Sequence, residues 1–208
     1  MAVARLLLGL VCLILLPFVV LVRTSTYLYS SNWPTHAALA VSATATALII
    51  AGYAAWISQR LTGRLRLRVL LRRVALPLMV MWCSYSLLYL SSLNAKGSRV
   101  RSYYRTLHPI LRVALSTVVL SDCGIVVTDL KRTPADYVSM GLPVKQESWH
   151  FLQEDGYVHA MDLRTVGRSK WRNWLVAGYF RTMGFKTLRH VGTADHLHVW
   201  LPSPAPPI

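Results

Sequence analysis

Residues 158–163 read Val158-His159-Ala160-Met161-Asp162-Leu163, and residues 195–199 read Asp195-His196-Leu197-His198-Val199. Both pieces are short, and each reads as a strand. A third piece, Ser148-Trp149-His150, precedes them. Together they supply His150, Asp162 and His198, two imidazoles and one carboxylate from three separate segments. Zinc accepts such N and O donors, and a catalytic zinc site keeps its fourth position for water. Asp195, three residues before His198, is placed to take that water's proton. Strand alternation refines the set, because side chains two apart share a face and odd offsets oppose. His196 shares a face with His198 and can stabilise charge at the site. His159, three from Asp162, points away from it. The lone His36, His108 and His190 carry structural or exposed roles.

Working outward, the last half of the chain reads as a small α+β domain over 107–201. Leu107–Leu120 places Leu107, Ile110, Leu111, Ala114, Leu115 and Val118 at helical spacing, with Pro109 in the first turn. Gly124–Asp129 reads as a strand, and Thr133-Pro134-Ala135-Asp136 starts a short helix running to Met140, stopped by Gly141-Leu142-Pro143. Ser169–Phe185 is the strongest helix; Ser169 can cap it and Gly184 can end it. Its Trp171, Trp174, Leu175, Gly178, Tyr179 and Met183 fall near one face and are expected in the core. Thr187–Val191 and His196–Leu201 read as two strands around a Gly192-Thr193 turn. Residues 202–208, with four prolines, form an extended tail. A domain of this size folds more safely with a metal.

The first half has another character. Mean hydropathy is +0.40 over the chain, and every acidic residue lies at or beyond Asp122. Three apolar runs, 6–22, 37–57 and 74–93, read as membrane spans. A cleaved signal peptide is the competing reading for the first, but Val22-Arg23-Thr24-Ser25-Thr26 offers a poor cleavage site. Thr24–His36 reads as an interfacial loop with Tyr27, Tyr29 and Trp33. The second run is rich in Ala, Ser and Thr, which favours close helix packing. Residues 94–106 read as a basic linker.

Charge sorts the possible partners. The formal net charge is +15, which invites a nucleic-acid reading. Most of the excess, however, flanks the apolar runs, where arginine serves topology. The expected partners are membrane lipid and an anionic wall polymer, not nucleic acid. Arg60, Arg64, Arg66, Arg68, Arg72 and Arg73, with no acid among them, mark the cytoplasmic side. The domain then lies outside the cytoplasmic membrane. Cys12, Cys83 and Cys123 contain no Cys-x-x-Cys, which excludes a thiolate zinc finger.

Residues 107–201 resemble the zinc D-alanyl-D-alanine carboxypeptidase and L,D-endopeptidase family, whose fold, an antiparallel sheet with helices, is shared with the Hedgehog signalling domain. Arg132 follows the first strand, as does the family's arginine that holds a substrate carboxylate. Ser148-Trp149-His150 is similar to its Ser-x-His, Ala160-Met161-Asp162 to the end of its Gly-x-Ala-x-Asp, and Asp195-His196-Leu197-His198 to its acid-x-x-His. The resemblance implies His150, Asp162 and His198 as Zn2+ ligands, Asp195 as general base, and a peptidoglycan stem peptide as substrate. His150 stands twelve residues before Asp162, a longer gap than the family's, and Val158 stands where the glycine is expected. An insertion around Gln153–Gly156 accounts for both. The implied activity is D,D-carboxypeptidase or L,D-endopeptidase. The alternative is an inactive membrane-anchored binding or assembly protein that keeps the fold.

Overall fold

The computed structural model describes residues 2–139, 141, 143, 147–192 and 195–203. Two long helices open the chain, α1 (Ala2–Ser30) and α2 (Thr35–Thr62). Both are long and apolar enough to cross a membrane. They form an antiparallel pair joined at Ser31–Pro34, where Asn32 takes φ +64, a conformation asparagine tolerates better than most residues. The pair is close because one face of α2 is small: Ala38, Ser42, Thr46, Ala47, Ala51 and Ala55 are buried. Ser25 and Ser42 hydroxyls meet across it at 2.6 Å. This is the close packing that the Ala/Ser/Thr content predicts.

α1 is longer than the first apolar run. It continues through Thr24–Ser30, which the sequence places in a loop, because Leu21, Val22, Ser25 and Thr26 are buried there. The Ser25 and Thr26 hydroxyls donate to the Leu21 and Val22 carbonyls one turn back, so neither polar group opposes burial. The third apolar run is helical from Leu67 to Leu88 in three consecutive pieces: α3 (Leu67–Leu70), a π-helical turn (Leu71–Ala75) and α4 (Leu76–Leu88). It starts earlier and ends earlier than 74–93; Tyr89 is already extended.

The basic linker is not loose. Within it, α5 (Ser98–Ser102) lies between two 3-10 turns. Asn94 Nδ2 donates to the Cys123 and Ile125 carbonyls at 3.0 and 2.8 Å. The buried Tyr104 hydroxyl donates to the Ser86 carbonyl at 2.6 Å.

α6 (Pro109–Ser121) is the centre of the molecule. His108 caps it, its Nδ1 accepting from the Ile110 N–H at 3.3 Å. Nine of its side chains are buried, Arg112, Val113 and Ser116 among them. A single apolar stripe cannot account for that; α6 is covered on opposite sides, by α1, α2 and α4 and by the folded C-terminal half.

That half holds a four-stranded antiparallel sheet of β1 (Val127–Asp129), β2 (Ala160–Arg164), β3 (Lys186–His190) and β4 (His196–Trp200), in the order β1-β2-β4-β3. Met161, Leu163, Leu197 and Val199 turn to the core. Between β1 and β2 lies α7 (Pro134–Ser139), while Met140, Leu142 and Thr193 fall outside the described residues. α8 (Lys170–Thr182) packs on β3 and β4. Its orientation overturns the expected aromatic core. Asn173, Val176, Ala177 and Phe180 are buried, whereas Trp171 and Trp174 are 63% and 71% exposed. Of the tail, Pro202 and Ser203 are described and irregular.

Candidate metal centre

Register builds the site. Asp162 on β2 pairs directly with His198 on β4, so both side chains leave one face of the sheet. His198 Nδ1 lies 2.8 Å from Asp162 Oδ1. His150 arrives from a turn before β2. Its backbone carbonyl accepts from the Arg132 N–H at 3.0 Å, and the neighbouring Trp149 carbonyl accepts from the His159 N–H at 3.0 Å. His150 Nε2 stands 3.2 Å from His198 Nδ1 and 3.3 Å from Asp162 Oδ1. Three candidate ligand atoms therefore converge, one from each segment singled out in the sequence.

The long gap between His150 and Asp162 closes as a tight hairpin. Leu152 and Val158 form an antiparallel bridge, and the Gln153 N–H donates to the Tyr157 carbonyl at 2.9 Å. Gly156 takes φ +77 at the bend, where a side chain would be strained. The residues of this hairpin thus loop out and leave His150 beside Asp162.

The hydrogen bonds around the trio suit a metal. His150 Nδ1 faces the Leu130 carbonyl at 2.5 Å. A carbonyl only accepts, so Nδ1 carries the proton and Nε2 keeps its lone pair toward Asp162 and His198. Burial pushes the Asp162 carboxyl up, but His150, His198 and the Arg132 guanidinium outweigh it and hold it well below the usual carboxylate range. Burial pushes the His198 imidazole down, with Asp162 opposing. An ionised carboxylate beside an imidazole whose protonation is disfavoured, as at His198, is the donor state a metal requires.

Arg132 fixes the carboxylate from behind. Its Nη2 donates to Asp162 Oδ2 at 2.6 Å and its Nε to Asp129 Oδ2 at 2.5 Å. Asp162 Oδ1 is left for the ligand cluster. The arginine expected to hold a substrate carboxylate is thus engaged with two of the protein's own. It still borders the cavity of about 510 Å³ that opens over the trio, as do His190, His196, Trp200 and Glu147.

The expected site residues do not all meet. His150, Asp162 and His198 converge; His196 joins them at the rim, its Nε2 3.6 Å from Asp162 Oδ2. Asp195 does not line the cavity. Arg189 holds it with Nη2 at 2.8 Å and Nε at 3.2 Å, and the Thr165 hydroxyl donates to the same carboxylate. Alternation gives the reason: Asp195 is an odd number of residues from both His196 and His198, so it leaves β4 on the other side. Glu147 was not singled out in the sequence, and His190, expected in a structural or exposed role, borders the cavity as well. His190 pairs with His196 in register, and the rings stack at 4.7 Å. The signal was present, since a hairpin centred on residue 193 sets 190 opposite 196.

A second cluster, His108, Asp155 and His159, also brings three donor atoms together. Its hydrogen bonding differs. His108 Nδ1 already accepts from the Ile110 N–H, so its Nε2 carries the proton and donates, 3.0 Å from Thr35 Oγ1. A metal on that Nε2 would leave the ring without a proton. Burial, with the neighbouring His159, pushes His108 down to about 3. His159 Nε2 lies 2.9 Å from Asp155 Oδ2. This cluster reads as a polar clasp among α1, α2, α6 and the hairpin.

The chain matches no protein-family model, no curated protein and no solved structure.

Proposed function

We propose that the chain is a three-span membrane protein carrying a zinc peptidase-like domain that cleaves peptidoglycan stem peptides outside the cytoplasmic membrane. The observation that carries this reading is the convergence of His150 Nε2, Asp162 Oδ1 and His198 Nδ1 at 2.8–3.3 Å on an open cavity, with His150 oriented by a backbone carbonyl. The substrate class comes from the resemblance of the Ser-x-His, Ala-x-Asp and acid-x-x-His pieces. Zinc held by these three ligands supplies Lewis acidity to a scissile carbonyl and lowers the pKa of a water. Arg132 holds Asp162 in place and presents the remainder of its guanidinium to the cavity, where a planar donor suits a peptide carboxylate. A carboxylate must accept the water's proton and pass it to the leaving amine. The resemblance assigns this to Asp195, which would first have to turn from Arg189 and Thr165 to the cavity side, whereas Glu147 already borders the cavity.

The test is peptide release from purified wall by the full chain in detergent, with and without chelator. Release that stops with chelator and returns with zinc is expected. Asp195→Asn should keep the metal and lose about 10²–10⁴-fold in turnover, the usual range for removing a general base. If the loss falls on Glu147→Gln instead, the base is the carboxylate already on the cavity.

One observation favours a second reading, a binding protein that retains the metal but not turnover: both Asp195 oxygens are held by the protein itself. Bound zinc without release of any wall peptide would decide for it.

A further inference from the structure

α8 has two apolar faces. Val176, Ala177 and Phe180 are buried toward the sheet; Trp171, Trp174 and Leu175 point outward, 63%, 71% and 50% exposed. Nothing in the sheet or its cavity uses that outer face. What covers such a face is shown by its neighbour. α6 and α8 lie side by side against the core: the Tyr179 hydroxyl donates to the Ala114 carbonyl at 3.0 Å, and Arg172 reaches Asp122 at 2.5 Å. α6 is buried over most of its length because α1, α2 and α4 cover its side away from the sheet. The corresponding side of α8 is exposed among the described residues.

Both ends of α8 stay at the level where the long helices meet the domain. Past its C-terminal end, a Cβ on Gly184 would come within 2.6 Å of Arg23 Nη1 on α1. Arg23 lies about 10 Å below the end of α1 at 1.5 Å per residue. At the other end, Trp171 and Leu175 line a cleft with Val118. Val118 lies beyond Arg112, which donates to the Leu87 carbonyl at the end of α4. α8 contains no acidic residue, and Lys170 and Arg181 flank the indoles. Indoles beside basic side chains are the chemistry of the headgroup zone.

We propose that the outer face of α8 docks on the lipid surface of the membrane that the long helices cross. Trp171 and Trp174 enter the headgroup layer, and Lys170 and Arg181 meet anionic headgroups. The His150–Asp162–His198 cavity, on the opposite face of the sheet, is thereby turned away from the bilayer. This rests on the membrane part of the proposed function but not on its chemistry.

The experiment uses the full chain with Cys12, Cys83 and Cys123 changed to serine, in nanodiscs containing anionic lipid. Spin labels go at Trp174→Cys, with Leu175→Cys as a second variant. Leu48→Cys on α2 and Leu188→Cys on the cavity face of β3 serve as references. Accessibility to oxygen and to a water-soluble nickel chelate is read by power saturation. Expected is a signature at 174 and 175 intermediate between the oxygen-rich, nickel-poor one at 48 and the nickel-accessible one at 188. Signatures at 174 and 175 matching 188 while 48 reads lipid would overturn the docking and leave the spans standing. An aqueous signature at 48 would remove the spans, and the docking with them. Spin–spin broadening at 174, relieved by unlabelled protein, would assign the face to a second copy and overturn the lipid.

Discussion

At the residue scale, Arg132 is where expectation and geometry part most usefully. The motif order casts it as a substrate ligand, yet its guanidinium spans Asp129 and Asp162 at 2.5 and 2.6 Å. A side chain that orients a metal-binding carboxylate typically governs metal affinity by 10–100-fold. Arg132→Lys keeps the charge but not the fork that reaches both carboxylates. We expect the variant to lose zinc to a competing chelator at about 10-fold lower chelator strength than the wild type. Unchanged zinc affinity with a raised KM would return Arg132 to a purely substrate-binding role. His150→Ala, Asp162→Ala and His198→Ala should each lose the metal outright, read as zinc per chain; full stoichiometry in all three would dissolve the proposed centre. The trio was legible from its donor types in three short segments, two of which are regular strands. Glu147 was not, because it precedes a turn whose course no periodicity encodes.

The elements were legible to the extent that their apolar spacing marked a face that is buried. α6 follows its apolar spacing and β4 follows alternation, while β2 is buried on both faces; all three are shifted by no more than two residues. α8 was misread because it has apolar residues on two faces, and spacing alone does not say which one the sheet takes. α1 was cut short because Thr24–Ser30 is polar by composition, whereas the Ser25 and Thr26 hydroxyls are satisfied within their own helix. The His108 cap is an element-scale feature with a pH signature. Its imidazole titrates near 6.5 when unfolded and about 3 when folded, with His159, Asp155, Arg112, Tyr29 and Tyr157 around it. The unfolded chain therefore binds the extra proton between those values, and stability present above pH 6.5 is lost as pH falls toward 3. Each unit is worth about 1.36 kcal/mol, which sets an upper limit of about 5 kcal/mol. His108→Asn retains a capping side chain and removes the titration. Denaturation midpoints of wild type and variant should diverge less at pH 4 than at pH 7.5. A wild-type midpoint as steep in pH as the variant's would mean that another group carries the acid sensitivity.

At the scale of the whole molecule, the basic segment and the C-terminal half occupy opposite ends of the helical bundle. α1 and α2 meet the domain at their shared turn, where Tyr29 packs on His108 at 4.8 Å and Thr35 bonds it. The third helical run meets it at its own C-terminal end through Ser86 and Leu87. The residues between α2 and α3, and the start of α1, are therefore at the far end, with Arg60, Arg64, Arg66 and Arg68. An odd number of crossings is the arrangement that places those arginines on one side of a membrane and the folded half on the other. Short loops rich in arginine stay cytoplasmic, so the cavity is expected outside. Substituted-cysteine labelling in intact cells reads this directly, again without the native cysteines. Leu188→Cys, exposed on the cavity face, should react with a membrane-impermeant maleimide in whole cells. Leu65→Cys, exposed between α2 and α3, should react only after permeabilisation. Labelling of Leu65 in intact cells with Leu188 protected would invert the molecule and take wall peptides out of reach of the site. Labelling of both from the same side would break the three-crossing arrangement itself, leaving the third helical run, interrupted by its π-helical turn, as a packed arm rather than a span.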